Sequence, residues 1–260
     1  MASLLHASNE AERAPRPESI AHAQLQGLLA DGVQLVDVLP PEEYAAEHLP
    51  GAVNVPLKQL DAETTAQLDQ HRPVAVYCYD ALCDMSPRTA WRLETLGFER
   101  VYHYVGGKAD WLAHALPREG QDLVPYAGEL VEPEPPTCLL SDSVADVRAT
   151  LEGSRYGFCL VTTEHRIVLG RVRRSALNEA DPSAAAESVM EGGPSTVRPN
   201  TNARELIERL AKRDLRTAIV TTPEGRLIGV FHRADAERRL AAQRDERTAG
   251  TTATMAAGAA

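Results

Sequence analysis

Aromatic side chains make up only 5% of this 260-residue sequence, so its cores must be built from Val, Leu, Ile and Ala rather than from large rings. Cysteine is almost as scarce. Four residues, Cys78, Cys83, Cys138 and Cys159, are too few for a disulfide framework, and no Cys/His spacing matches a metal site. Positive charge is in deficit: 27 Lys and Arg against 37 Asp and Glu leave a formal charge of -10. Such a chain repels phosphate backbones and anionic lipid, which argues against nucleic acid or a membrane surface as a partner. Long apolar runs are missing too; none approaches the roughly 20 residues that span a bilayer. The opening Met1–His6 stretch soon meets Asn9, Glu10, Glu12 and Arg13, unlike a secretory leader. The expectation is a cytoplasmic protein with reduced thiols.

What is present divides the chain. Residues 1–17, polar and containing Pro15 and Pro17, read as a flexible arm. Residues 18–128 read as an α/β domain: Gln34–Val38 and Val74–Cys78 are short apolar runs of the kind buried in parallel sheets. Helical stretches over Pro41–Glu47, Asp61–Gln70 and Pro87–Leu96 would cover both sheet faces. Residues 129–137, rich in Pro and Glu, read as an extended linker. Residues 138–244 carry an internal repeat (about 138–190 and 195–244), and 245–260, rich in Ala, Thr and Gly, read as a disordered tail.

The repeat is visible on shifting the chain by 59 residues, which lays Val161-Thr162-Thr163 on Val220-Thr221-Thr222 and Val168-Leu169-Gly170 on Leu227-Ile228-Gly229. Helix-spaced Val144, Val147 and Leu151 fall on Ala203, Leu206 and Leu210. One such unit has a small core, so two stacked units are expected. Cys138 and Cys159 fall on Val197 and Ala218, core positions.

This doubled pattern resembles the CBS domain, which implies an α+β pair, an adenine-nucleotide ligand of the AMP, ADP or ATP type in the cleft, and a homodimer formed through the pair. In nucleotide-binding relatives the second strand is followed by Gly-x-x-Thr-x-x-Asp. Here the second repeat reads Gly229-Val-Phe-His232-Arg233-Ala-Asp235, keeping the Asp, and the first reads Gly170-Arg-Val-Arg173-Arg174-Ser-Ala176, without it. The resemblance implies Asp235 as the ribose anchor beside His232, with Arg173, Arg174 and Arg233 as phosphate partners. The plain alternative is that Asp235 caps the final helix and the arginines are solvated.

Three stretches of the N-terminal region resemble the rhodanese family. The first is Leu35-Val-Asp37-Val-Leu39 through Glu42-Glu43-Tyr44 and His48 to Pro56. The others are Val76-Tyr77-Cys78 with its following loop, and Gly97-Phe98 through Gly106-Gly107 to Trp111. The resemblance implies a parallel sheet with flanking helices and Cys78 as a nucleophile that takes sulfur from a donor, holds it as a persulfide and passes it to a thiol acceptor. The residues agree: Cys78 ends a buried strand, and Ser86 and Pro87 form a helix start whose amides would face an anion. The loop Tyr79-Asp80-Ala81-Leu82-Cys83-Asp84-Met85-Ser86 departs from the pattern, however. It is two residues longer than the common Cys-Arg-x-Gly-x-Arg-Ser loop and has no arginine. Asp80 and Asp84 would repel thiosulfate and raise the thiol pKa. Cys83 offers a resolving thiol. The expectation is a sulfurtransferase that forms a persulfide at Cys78 and is adjusted by adenine-nucleotide binding to the CBS pair; the alternative is a non-catalytic redox-sensing or partner-binding module with a CBS regulatory domain.

Overall fold

The computed structural model describes residues 17–121 and 123–242, in two compact units: residues up to 112 with 116–123, and 113–115 with 124 onward. The arm expected over 1–17 (apart from Pro17) and the tail over 245–260 lie outside the described residues.

The first unit is a five-stranded sheet with helices. Its strands are β1 (Glu18–Ile20), β2 (Gln34–Asp37), β3 (Val53–Asn54), β4 (Val74–Tyr77) and β5 (Val101–Tyr104), in the order β1-β5-β4-β2-β3. All neighbours run parallel. Strands of such a sheet are covered on both faces, and every residue of β4 is buried. The helices are α1 (His22–Ala30), α2 (Pro41–Ala46), α3 (Met85–Thr95) and α4 (Gly107–Ala113). Ala90 and Leu93 of α3 pack with Val36, Val74, Val76 and Phe98. The helix expected over Asp61–Gln70 is a series of turns instead. Asp61 Oδ1 accepts the amides of Glu63 (3.0 Å) and Thr64 (2.8 Å), local bonds that compete with a helix.

The second unit contains two sheets and the repeat. After a 3₁₀ turn (Ala127–Glu129), the first copy runs β6 (Val131–Glu132), β7 (Thr137–Cys138), α5 (Val144–Leu151), β8 (Phe158–Thr162), β9 (Val168–Arg173) and α6 (Arg174–Glu179). The second runs α7 (Ala186–Val189), β10 (Glu191–Gly192), β11 (Thr196–Val197), α8 (Ala203–Lys212), β12 (Thr217–Thr221), β13 (Leu227–His232) and a helix over 233–242. The hairpins share one register: Phe158 faces Arg173 and Val161 faces Gly170, as Thr217 faces His232 and Val220 faces Gly229. Cys138 and Cys159 are both buried in the core.

The Pro/Glu-rich stretch expected as a linker over 129–137 is corrected here, because it carries a strand. β6 pairs with β13 of the other copy (Glu132 opposite Val230), and β10 pairs with β9 (Glu191 opposite Arg171). Adding 59 to 132 and 171 gives 191 and 230, so each copy lends its leading strand to the other's sheet. The open edges of β9 and β13 supply main-chain groups that need partners, and composition does not reveal that demand.

The lent strands pass directly over a glycine. A Cβ placed on Gly229 would lie 2.4 Å from the Glu132 carbonyl oxygen and 2.9 Å from Val131, and one on Gly170 would meet Met190 and the Glu191 carbonyl. Gly229→Val is expected to cost the second unit about 3 kcal/mol through overpacking. Both tryptophans, Trp91 and Trp111, belong to the first unit. In urea, the far-UV circular dichroism transition should move to lower denaturant while the tryptophan transition stays put. An unmoved dichroism curve would refute the strand exchange.

Candidate functional site

β4 is the middle strand of the first sheet, and its C-terminal end delivers the chain to Cys78. Asp80 Oδ1 accepts the amides of Leu82 (2.9 Å) and Cys83 (3.1 Å), which folds the loop back on itself. From the other side, Gly107 takes φ +60°, which brings α4 under the loop. The Lys108 and Ala109 amides then donate to the Cys78 and Tyr79 carbonyls at 2.9 and 2.8 Å. Four N–H groups that could face an anion are thus bound to loop carbonyls and the Asp80 carboxylate.

The sulfur itself is buried, the residue being 1% exposed. Its thiol points at the Cys83 carbonyl (3.3 Å) and, more loosely, the Asp80 carbonyl (3.9 Å), with Ser86 Oγ at 3.0 Å. Carbonyl oxygens accept from S–H and repel S⁻. Burial pushes the Cys78 thiol up to about 11, helped by the Cys83 thiol and opposed by Ser86.

Ser86 is not the expected cap. α3 begins at Met85 after Asp84, and the Ser86 hydroxyl turns inward to the sulfur. Pro87 suits any position of a first turn, so it does not mark which residue starts the helix. Cys83 and Met85 pack partly buried against the core. Tyr79 and Leu82 project outward with Ala81, Leu82 being 95% exposed, and Asp84 pairs with Arg88 at 3.5 Å.

Beneath the loop lies a polar cluster that sequence reasoning did not assign. Lys108 is 3% exposed, and its Nζ donates to the Glu47 carbonyl at 2.8 Å. Asp37 is fully buried; Oδ1 accepts the Leu39 amide at 2.8 Å, and burial raises its carboxyl above the usual range, against the pull of that amide, Tyr77 and the Lys108 charge. Both residues lie within the matched stretches, but nothing local shows that the Lys108 charge acts on Asp37. His48 stacks on Tyr44 (3.8 Å between centroids) and shapes the neighbouring loop.

In the second unit a cavity of about 210 Å³ is lined by Leu130, Glu132, Arg155, His232, Asp235 and Arg239, among others. His232 and Asp235 both line it. Arg173 and Arg233 do not line it: Arg173 Nε binds Glu191 at 2.6 Å, and Arg233 faces Glu237 at 3.8 Å. Arg174 donates to the carbonyls of Leu151 (2.9 Å) and Tyr156 (3.1 Å), holding the loop that carries Arg155. Arg155 and Glu132 were not foreseen, since Arg155 meets Asp235 across 80 residues of sequence. Hydrogen bonding to Arg155 holds the Asp235 carboxyl below its ordinary range.

Comparison with known proteins separates the two units. The family model for the rhodanese-like domain matches residues 21–114, and that for the CBS domain matches 186–242. The second begins at Ala186, the 59-residue counterpart of buried Ala127. An HTH-type transcriptional regulator of Mycobacterium tuberculosis is 40% identical over 88 residues, covering 34% of this chain and 38% of that protein. The thiosulfate sulfurtransferase GlpE of Coxiella burnetii is 33% identical over 82 residues, covering 32% of this chain and 74% of that protein. Among solved structures, the CBS domains of a transcriptional regulator from Streptococcus pneumoniae are 22% identical, covering 44% of this chain and 97% of that one, with a TM-score of 0.40.

Proposed function

Because the chain belongs to the rhodanese-like family through its N-terminal unit and carries a CBS domain behind it, we propose that it is a regulatory protein. In this reading Cys83 and the masked thiol of Cys78 together sense oxidants or a protein partner, and the CBS pair binds an adenine nucleotide at Asp235. The observation that carries this reading is the sulfur's surroundings: two carbonyl oxygens and a hydroxyl against a buried thiol, with no arginine in the loop. Such a site favours S–H over a thiolate or persulfide anion. The matched part of a transcriptional regulator supports a regulatory setting for this kind of domain.

The sensing step is a two-electron oxidation. A hydroperoxide oxidises the more accessible Cys83 thiol to a sulfenic acid, releasing an alcohol or water. The Cys78 sulfur then displaces the hydroxyl, forming the disulfide and releasing water. A reducing cytoplasm would reset the pair. Among the described residues no helix is long and apolar enough to cross a membrane. By family resemblance the CBS pair associates as a homodimer.

A second reading retains sulfur transfer. The placement of Cys78 at the end of the central strand, with Ser86 beside it, favours this reading, and the similarity to a thiosulfate sulfurtransferase supports it. Cys78 thiolate would attack the outer sulfur of a donor such as thiosulfate, expelling sulfite, and a thiol acceptor would take the persulfide sulfur. That route requires the loop to open first.

Intact-protein mass distinguishes the two. After thiosulfate the wild type should show no added sulfur; after peroxide it should lose two hydrogens, and neither Cys78→Ala nor Cys83→Ala should show that loss. Gain of one sulfur atom from thiosulfate, abolished only by Cys78→Ala, would replace the first reading with the second.

A further inference from the structure

The cavity around Asp235 contains an ion pair that bears on what the site accepts. Arg155 Nη2 lies 2.6 Å from Asp235 Oδ2 and 3.0 Å from Glu132 Oε2, so one guanidinium joins both carboxylates. Arg238 also pairs with Asp235. Tyr156 OH donates to Glu132 Oε2 at 2.9 Å. His232 packs edge-on against Tyr156 (4.9 Å between centroids), and its Nε2 is buried without a hydrogen-bond partner. The site therefore holds an unsatisfied imidazole nitrogen beside a carboxylate that is already engaged.

We propose that Arg155 makes this cavity selective for nucleotides over nucleosides by masking Asp235 until an anionic phosphate draws the guanidinium away; the inference rests on the nucleotide reading of the CBS pair. A sugar's hydroxyl pair needs the Asp235 carboxylate as acceptor. A nucleoside reaching it must break the Arg155–Asp235 contact and leaves that cation with Glu132 alone. A nucleotide brings its own partner, since a phosphate accepts from a guanidinium at least as well as a carboxylate does. Arg155 is half exposed and sits on the loop held by Arg174, so its head group has room to turn while its backbone stays fixed. Glu132, itself held by the Tyr156 hydroxyl, already touches the same guanidinium.

The test is calorimetric titration of the full chain with AMP and with adenosine. Wild type should bind AMP about tenfold or more tightly than adenosine, the worth of one charged hydrogen bond. Arg155→Met keeps the unbranched apolar stem of the side chain and removes its charge; there the preference should fall to within about threefold, with adenosine gaining. Asp235→Asn should weaken both ligands. Equal wild-type affinities, or a preference that survives in Arg155→Met, would overturn the selectivity role while leaving the nucleotide reading intact. If neither compound binds wild type or Arg155→Met, the nucleotide reading falls and this inference with it. A thermal melt of Arg155→Met coinciding with wild type would show that the variant is folded.

Discussion

Cys78 should react with iodoacetamide at neutral pH about a hundredfold more slowly than an ordinary protein thiol. Its pKa stands near 11 against an ordinary 9.0, and only the thiolate attacks. At neutral pH that difference lowers the thiolate population by the same factor, before burial of the sulfur slows access further. Peptide mapping by mass spectrometry should show the rate climbing about tenfold per pH unit until near pH 11. The raised pKa also makes stability depend on pH. The folded state favours the protonated thiol, so this stabilisation is complete below pH 9 and declines as pH rises toward 11. It amounts to on the order of 2 kcal/mol, observable as a falling denaturation midpoint that is absent in Cys78→Ala. Fast labelling of Cys78 at neutral pH would mean an open, thiolate-bearing loop, and would favour sulfur transfer over sensing.

Gly107→Ala should destabilise the first unit by about 3 kcal/mol and expose Cys78 in the same step. A methyl group at this position would sit 2.6 Å from the Cys78 carbonyl oxygen and 2.9 Å from the Tyr79 carbonyl group, and φ is +60°. The left-handed backbone alone costs about 1–2 kcal/mol for a residue with a Cβ, and the collision adds a comparable amount. Relief would move α4 away, breaking the bonds from Lys108 and Ala109 that hold the loop down. Alkylation of Cys78 should then rise at least about tenfold at neutral pH. Gly51→Ala is the control: φ is +71°, but no atom lies within 4 Å of the added carbon. It should lose only the backbone contribution and leave Cys78 labelling unchanged. If both variants behave alike, Gly107 is a turn residue and α4 does not mask the thiol.

Both predictions turn on a loop whose composition was readable but whose direction was not. The absence of arginine and the presence of Asp80 and Asp84 argued against thiosulfate on charge alone. The structure supplies a further cause: Asp80 engages the Leu82 and Cys83 amides, so two carbonyls face Cys78, opposed by Ser86 alone. A string of residue types carries the charge of the loop, whereas peptide-plane orientation depends on turns closed by contacts from α4.

The second unit separates the two kinds of information in the same way. A 59-residue shift was enough to find the repeat, the hairpins and their shared register, because strand alternation and helix spacing are local patterns. That β6 and β10 are exchanged between copies was hidden, since Val131–Glu132 is too short for a periodic signal and lies among prolines. The sequence by itself determined two units, a buried parallel sheet ending at Cys78, and a doubled α+β motif with Asp235 in its second copy. Only the tertiary structure decided which atoms face that thiol, and which cation occupies Asp235. Those outcomes depend on groups 29 residues away (Lys108 from Tyr79) or 80 (Arg155 from Asp235), brought together by packing that no local pattern encodes.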